Sequence, residues 1–123
     1  MSNESSISRI DDPLEVHGKG FRAGDRNEFV KAVTYGPFAE EPDHELELKR
    51  IAGELQANAI RIYEIPDVEL LHAAAAADLR VFITIPWTQH VDFFAVDGLL
   101  EEARNLIRET VERFRGHPAV GGY

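Results

Sequence analysis

Residues 59–85 read AIRIYEIPDVELLHAAAAADLRVFITI, and the fold follows from their pattern. Ala59, Arg61 and Tyr63 alternate with Ile60 and Ile62, which is the two-residue period of a strand. Pro66 and Asp67 then open a helix that continues through the alanine run Ala73 to Ala77. Alanine is the best helix former, and a smooth alanine face lets a helix sit close to a sheet. Residues 81–85 (VFITI) form a second strand, apolar on both faces, of the kind found in parallel sheets covered by other layers. A strand–helix–strand unit of this type predicts parallel strands joined by a right-handed crossover.

The same alternation extends outward in both directions. Upstream, residues 30–35 (VKAVTY) are strand-prone and are stopped by Gly36-Pro37. Leu48, Ile51, Ala52 and Leu55 follow with helical spacing, in a helix starting near Pro42-Asp43. Downstream, a long helix is expected from Asp97 as N-cap, with an apolar stripe of Leu100, Ala103, Ile107, Val111 and Phe114. Gly116 and Pro118 end it, and Ala119, Val120 and Gly121 begin a fourth strand pattern. Before the alternation, residues 14–29 are short apolar pieces broken by Gly18, Gly20 and Gly24-Asp25, the pattern of one or two small hairpins. Residues 1–13 are polar and Ser-rich, and are expected to form a disordered tail ahead of a domain spanning 14–123. Two architectures accommodate this order: a small open α/β sheet, or the first part of a (β/α)₈ barrel, which needs about 250 residues.

Composition narrows the function classes. The chain has 123 residues, a net charge of −9 and no cysteine. Disulfides, thiol nucleophiles and cysteine-type zinc sites are excluded. The acidic balance argues against nucleic acid as a partner, because phosphate binding draws on clustered Lys and Arg. No apolar run reaches the roughly 18–20 residues of a membrane span, and the first residues lack the pattern of a secretory signal. A cytoplasmic protein is therefore expected. Gly18, Gly20 and Gly24 do not have dinucleotide-fingerprint spacing, and no nucleophile elbow or phosphate loop occurs. No cofactor is expected. The histidines His17, His44, His72, His90 and His117 are scattered without a metal-ligand spacing, so no metal site is expected.

Ligands of α/β folds gather at the carboxyl ends of the strands. The candidates there are Tyr35 to Phe38 after the first strand, Arg61, Tyr63 and Glu64 at the second, and Pro86 to His90 after the third. Alternation turns Arg61 away from the helix-facing isoleucines, towards the interior of a barrel. A charge so placed is costly unless it pairs with a carboxylate or serves a ligand, and the residues alone leave both roles open. Trp87 with Thr88, Gln89 and His90 joins an aromatic face to polar side chains, a combination that suits sugar rings; a Trp that merely covers the end of the sheet is the competing reading. Glu64 directly follows a strand, but hydrolysing a glycoside takes two carboxyl groups roughly 5–9.5 Å apart. The acidic run Glu40, Glu41, Asp43, Glu45 and Glu47 reads as a solvated helix start, and His117 as part of a turn.

Four segments together, residues 29–38 (FVKAVTYGPF), 58–66 (NAIRIYEIP), 79–91 (LRVFITIPWTQHV) and 115–120 (RGHPAV), resemble the opening of glycoside hydrolase barrels of the clan that includes family 2 β-glycosidases. They are most similar to the glycosidase-like barrels beside glycosyltransferase modules in bacterial polysaccharide proteins. The resemblance implies the N-terminal portion of a TIM (β/α)₈ barrel, preceded by a short β-hairpin and truncated in the fourth strand. It also implies a carbohydrate substrate and, for a full-length relative, hydrolysis of O-glycosyl bonds with retention. Arg61 matches the second-strand arginine of such barrels. The acid/base and nucleophile glutamates of those barrels come from the fourth and seventh strands, so no catalytic residue is assigned in this chain and it is expected to be inactive alone. The substrate-binding candidates are Tyr35, Arg61, Tyr63, Glu64, Trp87 and His90. The alternatives are a complete small α/β module that binds a sugar or a protein, and a half-barrel that self-associates through an open sheet edge.

Overall fold

The computed structural model describes residues 9–36, 40, 42–87 and 90–123. The expectations placed on Pro37, Phe38, Glu41, Thr88 and Gln89 lie outside the described residues, as do residues 1–8 of the expected tail. From Arg9 the chain forms a short 3-10 turn, Arg9–Asp11. Ile10 is 3% exposed within the core, and its backbone N–H donates to Asp78 Oδ1 at 3.3 Å.

Residues 14–28 form a three-stranded antiparallel meander of β1 (Leu14–His17), β2 (Gly20–Ala23) and β3 (Arg26–Glu28). The two-residue breaks fall at the expected glycines, and Gly18 and Gly24 take φ of +62° and +63°, a region open to glycine at little cost. Gly24 has no room for a side chain either: a Cβ would lie 2.6 Å from Asp12 Oδ2.

Next comes a parallel sheet of β4 (Ala32–Thr34), β5 (Ala59–Ile62), β6 (Arg80–Ile83) and β7 (Val120–Gly122), in the order β4-β5-β6-β7. Its crossovers are the helices α1 (His44–Glu54), α2 (Val68–Ala76) and α3 (Leu99–Phe114). Asp43 caps α1 by accepting the Leu46 N–H at 3.0 Å, and Asp67 caps α2 by accepting that of Leu70 at 2.9 Å. Each cap satisfies a backbone donor that the helix leaves free. The start of α3 differs from expectation. Gly98, at φ +81°, precedes the helix, and no side chain caps it.

One face of the parallel sheet carries the core. Ile60, Ile62, Val81 and Ile83 are at most 1% exposed and pack with Leu48, Leu70, Leu71, Ala74 and Phe114. Each such side chain contributes about 1.5–3 kcal/mol through burial. The expected stripe of α3 is only partly used. Phe114 is buried, but Ile107 is 51% exposed, while Thr110 is buried and donates its hydroxyl to the Leu106 carbonyl at 2.7 Å.

The partial barrel is not what the chain forms. It is a small α/β protein with two separate sheets, one antiparallel with three strands and one open and parallel with four. The strand–helix pattern fixes parallel pairing and crossovers, and a barrel shares both with an open sheet. Closure further requires enough tilted strands to bring the last beside the first, and here β4 and β7 stand at opposite edges. The expected hairpin is the meander, and what was read as a fourth strand cut short is the edge strand β7.

The meander lies against the amino-terminal end of β6 on the sheet's other face, and a buried ion pair holds it there. Arg80, 1% exposed, begins β6 and donates from Nε to Glu28 Oε2 of β3 at 2.6 Å. Its Nη2 donates to the Asp12 carbonyl at 3.0 Å. Asn58 joins the two parts of the chain beside this pair: its Nδ2 donates to the Phe29 carbonyl and its Oδ1 accepts from the Lys31 N–H, both at 2.7 Å.

At the other edge, His117 Nδ1 accepts the Ala119 N–H at 3.1 Å, and the Ala119 carbonyl accepts from the Val81 N–H at 2.7 Å. The His117 ring stacks on that of His72 with centroids 5.5 Å apart. The sequence spacing gave no hint of this pair, because α2 and the α3–β7 turn meet only in three dimensions.

Arg80→Ala leaves the buried Glu28 carboxylate with only Arg26, whose Nη1 lies 4.0 Å away, and is expected to lower the unfolding free energy by about 3 kcal/mol in urea titrations. Arg50→Ala, which removes a solvent-exposed pair with Glu54, is expected to leave the urea midpoint unchanged. Burial, and next the neighbouring His72, lowers the His117 pKa, so the unfolded chain binds more protons just below the ordinary histidine value of about 6.5. The stability contributed by neutral His117 is present above that value and lost as pH falls towards the folded-state pKa. Urea midpoints measured between about pH 5 and 6.5 should fall with acidification, and His117→Asn should flatten that slope.

Candidate functional site

The open face of the parallel sheet is divided in two along its strands. Register aligns Ala59 with Arg80 near the amino ends, under the meander, and Thr34, Arg61 and Phe82 in a row further along. Beyond this point on β5 and β6, and at Ala32 of β4, the face is open among the described residues and borders a cleft of about 790 Å³. Phe82, Arg61 and Thr84 line it from the sheet, Phe21 from the meander, Trp87 from the β6–α3 connection, and Tyr123 from the end of β7. Ala103, Leu106 and Ile107 of α3 complete its wall.

Phe82 has a defined seat. A Cβ on Gly121 or Gly122 would come within 3.2 Å of its ring, so the bare backbone of β7 is what lets the ring lie against it. The β6–β7 ladder shifts register at Phe82, with Val81 opposite Val120 but Phe82 opposite Gly122.

Arg61 points away from the helices, as alternation predicts. It is exposed, however, rather than sequestered in a barrel interior. Its guanidinium carbon lies 4.7 Å from the centroid of the Tyr63 ring, and its Nε donates to Thr84 Oγ1 at 3.4 Å. Tyr63 is 54% exposed. Trp87 stacks on Phe93 with centroids 5.8 Å apart and planes inclined by 23°. Its Nε1 is buried and has no hydrogen-bond partner among the described residues.

The remaining candidates lie elsewhere. Tyr35 is 6% exposed and its hydroxyl shares a 2.8 Å hydrogen bond with His44 Nδ1. Burial, reinforced by the negative charges of Glu47 and Asp43, pushes the phenol up to about 12, so it keeps its proton. Tyr35, Gly36, Tyr63 and Glu64 border a separate cavity of about 140 Å³. His90 is exposed in the left-handed region, at φ +59°. The structure thus brings Arg61 and Trp87 to one cleft, with Tyr63 attached to it through Arg61. Tyr35, Tyr63 and Glu64 border another cavity, and His90 lines neither.

Sequence reasoning missed Phe21, Phe82 and Tyr123 as cleft residues. Phe82 was legible in part, since strand alternation sets it on the Arg61 face. Phe21 and Tyr123 reach the cleft through tertiary packing, for which no local pattern exists. Charge is sparse here: among the described residues lining the cleft, Arg61 is the one with a charged side chain. Among the described residues, no group of three or more His, Asp or Glu side chains could hold a metal ion.

Searches against models of known protein families and against curated protein sequences find no match to this chain. No helix among the described residues is long and apolar enough to cross a membrane.

Replacing Tyr35 by Phe removes its hydrogen bond to His44 without changing ring volume. The expected result is a loss of about 0.5–1.5 kcal/mol in urea unfolding, with the cleft unaffected because Tyr35 does not line it.

Proposed function

We propose that this α/β unit binds a carbohydrate in the cleft on the open half of its parallel sheet, and does not itself hydrolyse it. The observation that carries the reading is the make-up of the wall. The aromatic side chains Phe21, Phe82, Trp87 and Tyr123 surround a space of about 790 Å³, with Arg61 and Thr84 as polar groups on the sheet side. Aromatic faces pack against the C–H faces of sugar rings, and a few fixed polar groups select among hydroxyls. The sequence resemblance to sugar-processing glycosidases points to the same ligand class.

Binding without hydrolysis is supported by where the carboxylates are. No Asp or Glu among the described residues lines the cleft, whereas glycoside hydrolysis requires two carboxyl groups on either side of the scissile bond. Glu64, the carboxylate closest in sequence to Arg61, borders the separate cavity with Tyr35.

Trp87 is the one tryptophan in the chain, so its fluorescence reports on this cleft alone. Titration with a β-linked glucose oligosaccharide is expected to shift its emission with saturation. Phe82→Ala is expected to weaken binding about 2- to 10-fold, the amount set by one lost aromatic contact. An emission spectrum unchanged at millimolar oligosaccharide, or turnover of an aryl glycoside by the pure chain, would overturn the reading.

A further inference from the structure

We infer that the carbohydrate taken by this cleft is acidic, bearing a carboxylate that Arg61 receives; the inference rests on the carbohydrate reading of the same site. The chain carries 22 Asp and Glu against 13 Lys and Arg, and its ion pairs among the described residues engage Arg26, Lys49, Arg50, Arg80 and Arg104. Arg61 is in none of them. Its guanidinium is nevertheless positioned, lying over the Tyr63 ring with Nε directed to Thr84. Those two contacts use the face of the guanidinium and its Nε–H. They leave the terminal Nη groups as donors for a partner, and no Asp or Glu among the described residues of the cleft wall supplies one.

A planar guanidinium fixed in this way matches a planar carboxylate through two parallel N–H···O bonds. The surrounding wall is apolar, and low local polarity strengthens a charge-assisted bond once a ligand has displaced water. The net charge of −9 opposes the approach of anions to the molecule as a whole. An acidic ligand is therefore selected by a local group, in a cleft whose one charged side chain among the described residues is positive.

Trp87 fluorescence titration at low salt, with a disaccharide containing glucuronate and with the neutral glucose disaccharide of the same linkage, tests this. The glucuronate sugar is expected to bind at least about tenfold more tightly. Arg61→Gln should abolish that preference, bringing the two affinities to within about twofold of each other, and Arg61→Lys should retain part of it, as a point charge without the planar fork. Arg61 is exposed, and an unchanged urea midpoint in both variants confirms that they fold. Equal or better binding of the neutral disaccharide by the unaltered chain overturns the inference and leaves the carbohydrate reading standing. A preference that survives in Arg61→Gln also overturns it. Binding of neither sugar overturns both.

Discussion

The buried contact between Arg80 and Glu28 is the interaction on which the arrangement of this molecule depends. The two sheets share no strand, and their joint is polar: one guanidinium holds a carboxylate of the meander and the carbonyl of Asp12 in the segment preceding it. Such a pair gains little net stability over a well-packed apolar substitute, since both charges must lose their water. It does define a geometry. A guanidinium with a fixed fork favours one placement of its partners, and this placement sets the meander at the amino-terminal end of β6, short of Arg61 and Phe82 in the cleft. The position of the cleft is thus a consequence of where the meander is held.

Both arginines of the open face start from the same strand logic and end with opposite fates. Arg61 and Arg80 occupy the non-helical face of neighbouring strands. The first stands beyond the reach of the meander and keeps its charge in the solvent, stacked on Tyr63. The second lies beneath the meander and is sequestered. Position along the strand separates a structural from a ligand-directed role here, and residue type does not.

That difference marks the limit of what the sequence conveys. Alternation correctly assigns Ile60 and Ile62 to the helix side, and the helix periodicity finds Leu48 and the alanine face of α2. The parallel strands and their crossover helices are legible in the same way. What is not legible depends on partners remote in the chain. Arg80 looks like the junction between a helix and a strand, because Glu28 is 52 residues away. The stripe on α3 reads as core, yet Ala103 and Ile107 border the cleft. Barrel closure could not be read either, since each strand–helix unit is the same whether or not the sheet returns to its first strand. At the candidate site, Arg61 and Trp87 were legible as strand-end residues, whereas Phe21 and Tyr123 reach the cleft only through packing of the two sheets and the edge strand.

The strand order of the parallel sheet also bears on how the chain assembles. Every strand pairs with its successor in sequence, so the sheet can grow one crossover at a time, each step closing a loop of modest length. The contacts of Arg80 close loops of 52 residues to Glu28 and 68 residues to Asp12. Loop-closure entropy rises with length, and contacts of high sequence separation are reached late unless the intervening chain is already compact. Growth of the sheet supplies that compaction, because it folds the chain between β4 and β6 into packed units. The ion pair is then the last piece to lock, and its loss should quicken unfolding far more than it slows folding.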